Sequence, residues 1–128
     1  MERGFSLVEV VVALALTALS VLCLISVLIG SIRLLETSQE VSEATSVAHR
    51  LLEQIQSIRP LPVGSFDGRL GQTAVGGFPP PPYPGQSLRY DYRTCVSVSH
   101  LDDRLDSVRV DVYWNVRAHL QMATVQLR

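Results

Sequence analysis

The apolar positions along the chain change their rhythm three times, and each change predicts a different element. From Leu7 to about Ile32 the residues are Val, Leu, Ile, Ala and a few small polar ones, and Val10 to Gly30 carries no charge. About 20 apolar residues suffice for a bilayer-spanning helix, so residues 5–32 predict one. No proline interrupts it and Gly30 comes only near its end, so no kink is expected. Ala13, Thr17, Ser20, Leu24, Val27 and Ser31 recur at spacings of three and four. That stripe reads equally as a surface for close helix approach and as the ordinary abundance of small residues in membrane helices.

Beyond the membrane the pattern turns amphipathic. Leu34, Val41, Ala48 and Ile55 are seven apart, with Ala44, Leu51 and Ile58 at the intervening position. This a/d seam over residues 33–59 predicts that the helix continues with one apolar stripe, while Glu36, Gln39, Glu40, Glu43, Arg50 and Glu53 fall on other faces. Arg59-Pro60 ends it, because the residue before a proline is pushed out of the helical region. From Phe5 to Ile58 such a helix would be ~80 Å long. A free coiled coil would show the same seam, but a downstream sheet in need of a cover favours packing against that sheet.

Residues 60–87 break all periodicity. All seven prolines and six of the eight glycines fall here, including Pro79-Pro80-Pro81-Pro82 and Tyr83-Pro84-Gly85. Tandem prolines favour extended polyproline II and glycines supply turns, so a long Pro/Gly-rich loop is predicted, functional or mobile. The run could also dock a proline-binding module, although such modules are not expected outside the cytoplasm.

Residues 88–128 alternate with period two. Leu88, Tyr90, Tyr92, Val96 and Val98 share one strand face against Arg89, Asp91, Arg93 and Ser97. Val108, Val110, Val112, Trp114 and Val116 repeat the pattern against Arg109, Asp111, Asn115 and Arg117. In a third strand from Leu120 to Leu127, Leu120 and Met122 are out of phase with Val125 and Leu127, and a bulge near Ala123 would reconcile them. The reading is an antiparallel β-meander of three strands with one apolar face. The fold class is therefore α+β, a long N-terminal helix laid on a small three-stranded sheet.

Composition narrows the chemistry. A chain of 128 residues is one domain at most, and removing the apolar run leaves a small soluble part. A net charge of −1 gives no electrostatic reason for a nucleic-acid partner. Cys23 lies in the apolar run and Cys95 in a strand, so they are not expected to meet; Cys95 reads as a semi-buried strand residue, with an intermolecular disulfide as the alternative. His49, His100 and His119 are scattered and read as solvated residues. Asp102, Asp103 and Asp106 crowd a turn without ordered calcium-ligand spacing and read as a solvated turn. Arg89, Arg93, Arg109 and Arg117 with Tyr113 could line the outer sheet face, but Asp91 and Asp111 share it, so cross-strand ion pairing is the better reading. No nucleophile–base pair, phosphate loop or paired acid arrangement is found, and neither a cofactor nor a metal site is expected. The chain reads as a non-enzyme.

One carboxylate stands apart. Residues 4–9 read Gly-Phe-Ser-Leu-Val-Glu behind the leader Met1-Glu2-Arg3-Gly4, too short for the charged region of an ordinary secretory signal. Glu9 is the single charge within the apolar run, and a charge in hydrocarbon costs roughly 2.5–3.5 kcal/mol, so such residues have a partner and a task. At these residues the chain resembles the type IV pilin superfamily of pilins, minor pilins and type II secretion pseudopilins. In that family a membrane peptidase cuts after the glycine, and the new N-terminal residue is N-methylated.

The resemblance implies a leader at residues 1–4, cleavage between Gly4 and Phe5, N-methylation of Phe5 and an assembly role for Glu9. The Val8-to-Leu14 stretch, Arg50-Leu51-Leu52-Glu53 and the short C-terminal meander look most like minor pilins of the PilV type. The implied function is a minor pilin that helps initiate a type IV pilus for motility, adhesion or DNA uptake. The I-type minor pseudopilin of type II secretion is the alternative. From another class, an uncleaved single-pass anchor with a small binding domain would retain Met1 to Gly4. The implied partners are other minor and major pilin or pseudopilin subunits, a prepilin peptidase, an inner-membrane assembly platform and lipid, with no nucleic acid. The implied location is the inner membrane, with the C-terminal part in the periplasm or exterior, and then the filament. Two departures stand out: the cysteines cannot close a C-terminal disulfide, and no Gly or Pro breaks the membrane segment.

Overall fold

The structure is a computed structural model that describes residues 6–116 and 118–127. One helix, α1, runs without a break from Leu7 to Gln56. Ser57 and Ile58 extend it with main-chain bonds to the carbonyls of Gln54 and Ile55, and Pro60 then lacks the N–H needed to continue. After it come β1 (Gly64–Asp67), a 3₁₀ turn (Gly68–Leu70), β2 (Gly85–Ser87), β3 (Asp91–Asp102), β4 (Leu105–Tyr113) and β5 (His119–Leu127). All strands pair antiparallel in one sheet of order β1-β3-β4-β5, and β2 pairs with the first residues of β3.

The three expected strands are β3, β4 and β5, but the sheet has five. The Pro/Gly-rich segment supplies the other two, Gly-Ser-Phe-Asp and Gly-Gln-Ser, which are too short for any alternation to register in sequence. Two glycines let this segment lie directly on β3. A Cβ on Gly68 would run into the carbonyl oxygens of Pro84 and Thr94, and one on Gly85 into that of Tyr92.

The chain forms two units, one ending at Ser38 and the other beginning at Gln39. The first is the apolar part of α1. It is long and apolar enough to cross a membrane by length and composition, and its most apolar window is 0% buried. Its hydroxyls fold back onto the helix: Thr17 donates to Ala13 O at 3.0 Å, Ser20 to Leu16 O at 2.9 Å and Ser31 to Val27 O at 2.9 Å. No polar group of these side chains is left bare towards hydrocarbon.

The second unit holds the core. Ala44, Val47, Ala48, Leu51, Leu52 and Ile55 are buried on α1 and meet Tyr92, Val96 and Val98 of β3 and Val108, Val110 and Val112 of β4. Full burial of a Leu or Ile side chain stabilises by ~1.5–3 kcal/mol, so this stripe and the facing valines carry most of the packing. The stripe begins later than the a/d seam foresaw: Leu34 is 73% exposed and Val41 41% exposed. It is also wider than a/d, because a helix covering a sheet buries a broader face than one in a two-helix seam.

The alternation in β3 and β4 is as expected from Tyr92 to Val98 and from Val108 to Val112. Its ends are not: Leu88 precedes the strand half-exposed, and Val116, beyond the end of β4, is 98% exposed. No bulge occurs at Ala123. The β4–β5 ladder runs unbroken from Leu105↔Leu127 to Tyr113↔His119, so Leu120, Met122, Thr124 and Gln126 face inward while Val125 and Leu127 face out. The inward Gln126 is accommodated because its Nε2 donates to Gln56 O at 3.1 Å, a carbonyl at the helix end without a helical donor. The irregularity in the sheet lies instead between His100 and Asp102.

Candidate assembly segment and the polar clusters

Gly4 and Phe5 lie outside the described residues; Glu9 lies within them, in the first turn of α1. The helix opens where the Glu9 and Val10 amides donate to Ser6 O at 2.9 and 3.3 Å. The Ser6–Glu9 spacing is that of a capping box, and a carboxylate here also complements the helix dipole. The Glu9 side chain is exposed among apolar neighbours, with no hydrogen bond or ion pair among the described residues. Val8, Val10, Val11 and Val12 around it are likewise exposed. A carboxylate surrounded by apolar surface, with no partner among the described residues, is costly to leave in hydrocarbon.

Two helical carboxylates further on, Glu40 and Glu43, behave differently. Glu43 Oε2 accepts from the Tyr92 hydroxyl at 3.0 Å and Glu40 Oε2 from Trp114 Nε1 at 3.2 Å. Gln39 Oε1 accepts from Arg89 Nη1 at 2.6 Å. Sequence alone set Gln39, Glu40 and Glu43 apart from the apolar stripe, without showing that they fasten the rim of the core. Burial and the Glu43 carboxylate together push the Tyr92 hydroxyl well above the ordinary tyrosine range, so it stays a donor.

A second cluster was not foreseen. Asp67, at the end of β1, accepts from Arg69 Nη2 at 2.9 Å and from Cys95 Sγ at 2.9 Å, and the Arg69 guanidinium sits 4.2 Å from the centre of the Tyr113 ring. Tyr113 in turn stacks on His119, with ring centroids 5.3 Å apart. The Arg69 side chain holds the Asp67 carboxyl well below the usual carboxylate range, with the Cys95 thiol adding to it. Burial first, and the Asp67 carboxylate second, push the Cys95 thiol up to about 11. Such a thiol is protonated at neutral pH and a poor nucleophile, so Cys95 acts as a donor that pins the Pro/Gly-rich segment to β3. The signal available in sequence was Asp67-Gly68-Arg69, which folds an ion pair across two residues of a tight turn.

The remaining candidates resolve as local pairs. His49 lies 3.2 Å from Glu53 one helical turn on, and His119 opens β5. Asp102, Asp103 and Asp106 do not converge: Asp102 Oδ1 accepts from the Asp103 amide at 2.8 Å, while Asp106 lies in β4, buried on the inner face and bonded to His100. Their crowding in sequence is broken by the pleat, which turns Asp106 inward. Arg93 pairs with Asp91 of its own strand at 3.0 Å, so the expected cross-strand pairing of the outer face runs along β3. Arg109 is exposed on that face, and Arg117 lies outside the described residues.

Comparison with known protein families matches residues 1–22 to the prokaryotic N-terminal methylation motif. No curated protein and no solved structure matches the chain. The matched stretch covers Gly4, Phe5 and Glu9 and opens the apolar helix, and it implies processing by a prepilin peptidase and assembly with subunits of the same class. Motif and helix together support a structural subunit of the type IV pilin and pseudopilin class, anchored in a membrane through its N-terminal helix.

Proposed function

We propose that the chain is a minor pilin, cut between Gly4 and Phe5, N-methylated on Phe5 and held in the inner membrane by residues 5–32 with its C-terminal unit outside the cytoplasm. It then enters a type IV pilus and helps to start the filament; it does not catalyse a reaction. The observation that carries this reading is Glu9, a carboxylate in the methylation motif with no partner among the described residues of its own chain.

In a bundle of apolar helices each Glu9 would be stranded unless something positive approached it. Cleavage at Gly4 creates an amine next to the apolar helix, and the amine of a neighbouring subunit is the natural counter-charge. Processing and assembly thereby become coupled, since only cut chains present that amine. Removing one partner of a buried ion pair costs ~3–5 kcal/mol, against ~0.3–1 kcal/mol for a carboxylate that merely favours a helix dipole. The size of the effect separates an assembly contact from a helix-end residue.

Intact mass of the purified protein tests the processing step. Loss of Met1-Glu2-Arg3-Gly4 and gain of one methyl are expected. Gly4→Val should leave the full-length mass, because a bulky side chain does not fit where the peptidase takes a glycine. A wild-type protein that keeps Met1 would support the uncleaved anchor instead.

A further inference from the structure

Where the C-terminal end of α1 meets the end of the sheet, the second unit holds a cleft of ≈ 210 Å³ lined by Arg59, Pro60, Leu61, Asp106, Gln126 and Leu127. Its two buried polar side chains both offer acceptors. Asp106 is 2% exposed and bonded through Oδ1 to His100 Nδ1, an imidazole that carries charge only when protonated. Gln126 is 8% exposed, and its Nε2 donates to Gln56 O. That bond fixes the carboxamide: a carbonyl can only accept, so Nε2 must face Gln56 and Oε1 must face away. Oε1 is buried and has no donor among the described residues. An amide oxygen that is desolvated and without a donor is costly to leave so, and it lies in the same lining as the buried carboxylate of Asp106, whose one side-chain partner among the described residues is His100.

We propose that this cleft receives a basic side chain, a guanidinium or ammonium, from a neighbouring subunit. The cleft is smaller than the roughly 300–1,000 Å³ of sites that hold drug-sized ligands, so one side chain fills it better than a small molecule. Donors from a cation satisfy Asp106 and Gln126 Oε1, and the apolar walls of Pro60, Leu61 and Leu127 cover an aliphatic stem. Arg59, also in the lining, makes no hydrogen bond or ion pair among the described residues and competes with an incoming cation. The source, a neighbouring subunit, rests on the reading of this chain as a filament component; the ligand chemistry does not.

The test titrates ethylguanidinium into the full chain in detergent micelles and follows the Gln126 carboxamide and Leu127 amide signals by NMR. Saturable shifts are expected in the wild type and tighter binding in Arg59→Ala. In Asp106→Asn, which can still bond His100, binding should weaken at least about tenfold, the worth of one charge-assisted hydrogen bond. Gln126→Leu should weaken it as well, should Asp106→Asn disturb the fold. Equal responses in wild type, Arg59→Ala and Asp106→Asn, or shifts that never saturate, would overturn the site. A photo-crosslinking residue at position 127 then tests the source: a crosslink to an Arg- or Lys-containing peptide of another subunit, lost in Asp106→Asn, is expected. If the protein enters filaments but no such crosslink forms, the neighbour is wrong. If the protein never enters filaments while the titration succeeds, the filament reading fails and the cleft stands.

Discussion

Glu9 and Glu43 lie on the same helix, and only Glu43 has a partner among the described residues. Glu43 stands at the rim of the core, where the Tyr92 hydroxyl donates to it at 3.0 Å. Glu9 stands among exposed valines with no partner among the described residues. The contrast extends to their surroundings. From Ala44 to Ile55 the apolar stripe of α1 is covered by β3 and β4, whereas the apolar run before Arg33 is exposed all round. A helix apolar on every face is completed by something outside its own fold, lipid or other helices. One element thus serves two surroundings, and Glu9 and Glu43 mark the difference between them.

If that contrast is sound, truncations on the two halves should differ sharply. Leu51→Ala empties a fully buried site and should destabilise the C-terminal unit by about 2–5 kcal/mol in denaturant unfolding. Leu19→Ala, on the exposed apolar half, should leave that unfolding unchanged. Comparable losses from both would show that the halves are not energetically separate.

A smaller effect sharpens the Glu43 side of the comparison. Tyr92→Phe removes the hydroxyl but keeps the ring, and should cost about 0.5–1.5 kcal/mol because Glu43 is only half-buried and water can replace the lost donor. A loss as large as that of Leu51→Ala would mean that Glu43 depends on Tyr92 far more than its exposure implies.

The smallest effect belongs to Asp67. Its folded carboxyl lies below its unfolded value because Arg69 holds it charged. The pair's contribution is therefore fully present above the ordinary aspartate range near ~3.9 and is lost as pH falls through the lower folded value. The pair is partly exposed, so the stability gap between wild type and Asp67→Asn should be about 0.5–1 kcal/mol at neutral pH and should close as the solution is acidified below ~4. A gap that widens on acidification would contradict the assignment.

Much of this was legible in the residues because the strong signals are periodic. The uninterrupted helix, its end before Pro60 and the inward faces of β3 and β4 all follow from runs long enough to repeat. The failures share a different cause. β1 and β2 hold four and three residues, too few for a period to show, and depend on Gly68 and Gly85 for close approach to β3. At β5 the outward Val125 and Leu127 invited a bulge, when the register is kept by Gln126 finding the open carbonyl at the helix end. Leu34 and Val41 continue a seven-residue repeat that packing does not use. Of the candidate segment, the residue types at Gly4, Phe5 and Glu9 were visible at once. The Asp67–Arg69–Cys95 cluster was not: Asp67 and Arg69 pair locally, but Cys95 joins them only through the sheet pairing of Asp67 with Cys95.

The most direct trial of the account is Glu9→Gln, followed from the membrane into sheared filaments. The substitution keeps size and shape and removes the charge, so the protein should fold, insert and lose its leader as the wild type does. It should then be missing from the filament fraction, or filaments should fail to start, because the neighbour's new amine has no carboxylate to meet. Normal incorporation of processed Glu9→Gln protein would show that Glu9 only caps the first turn of α1, and that assembly finds its specificity elsewhere.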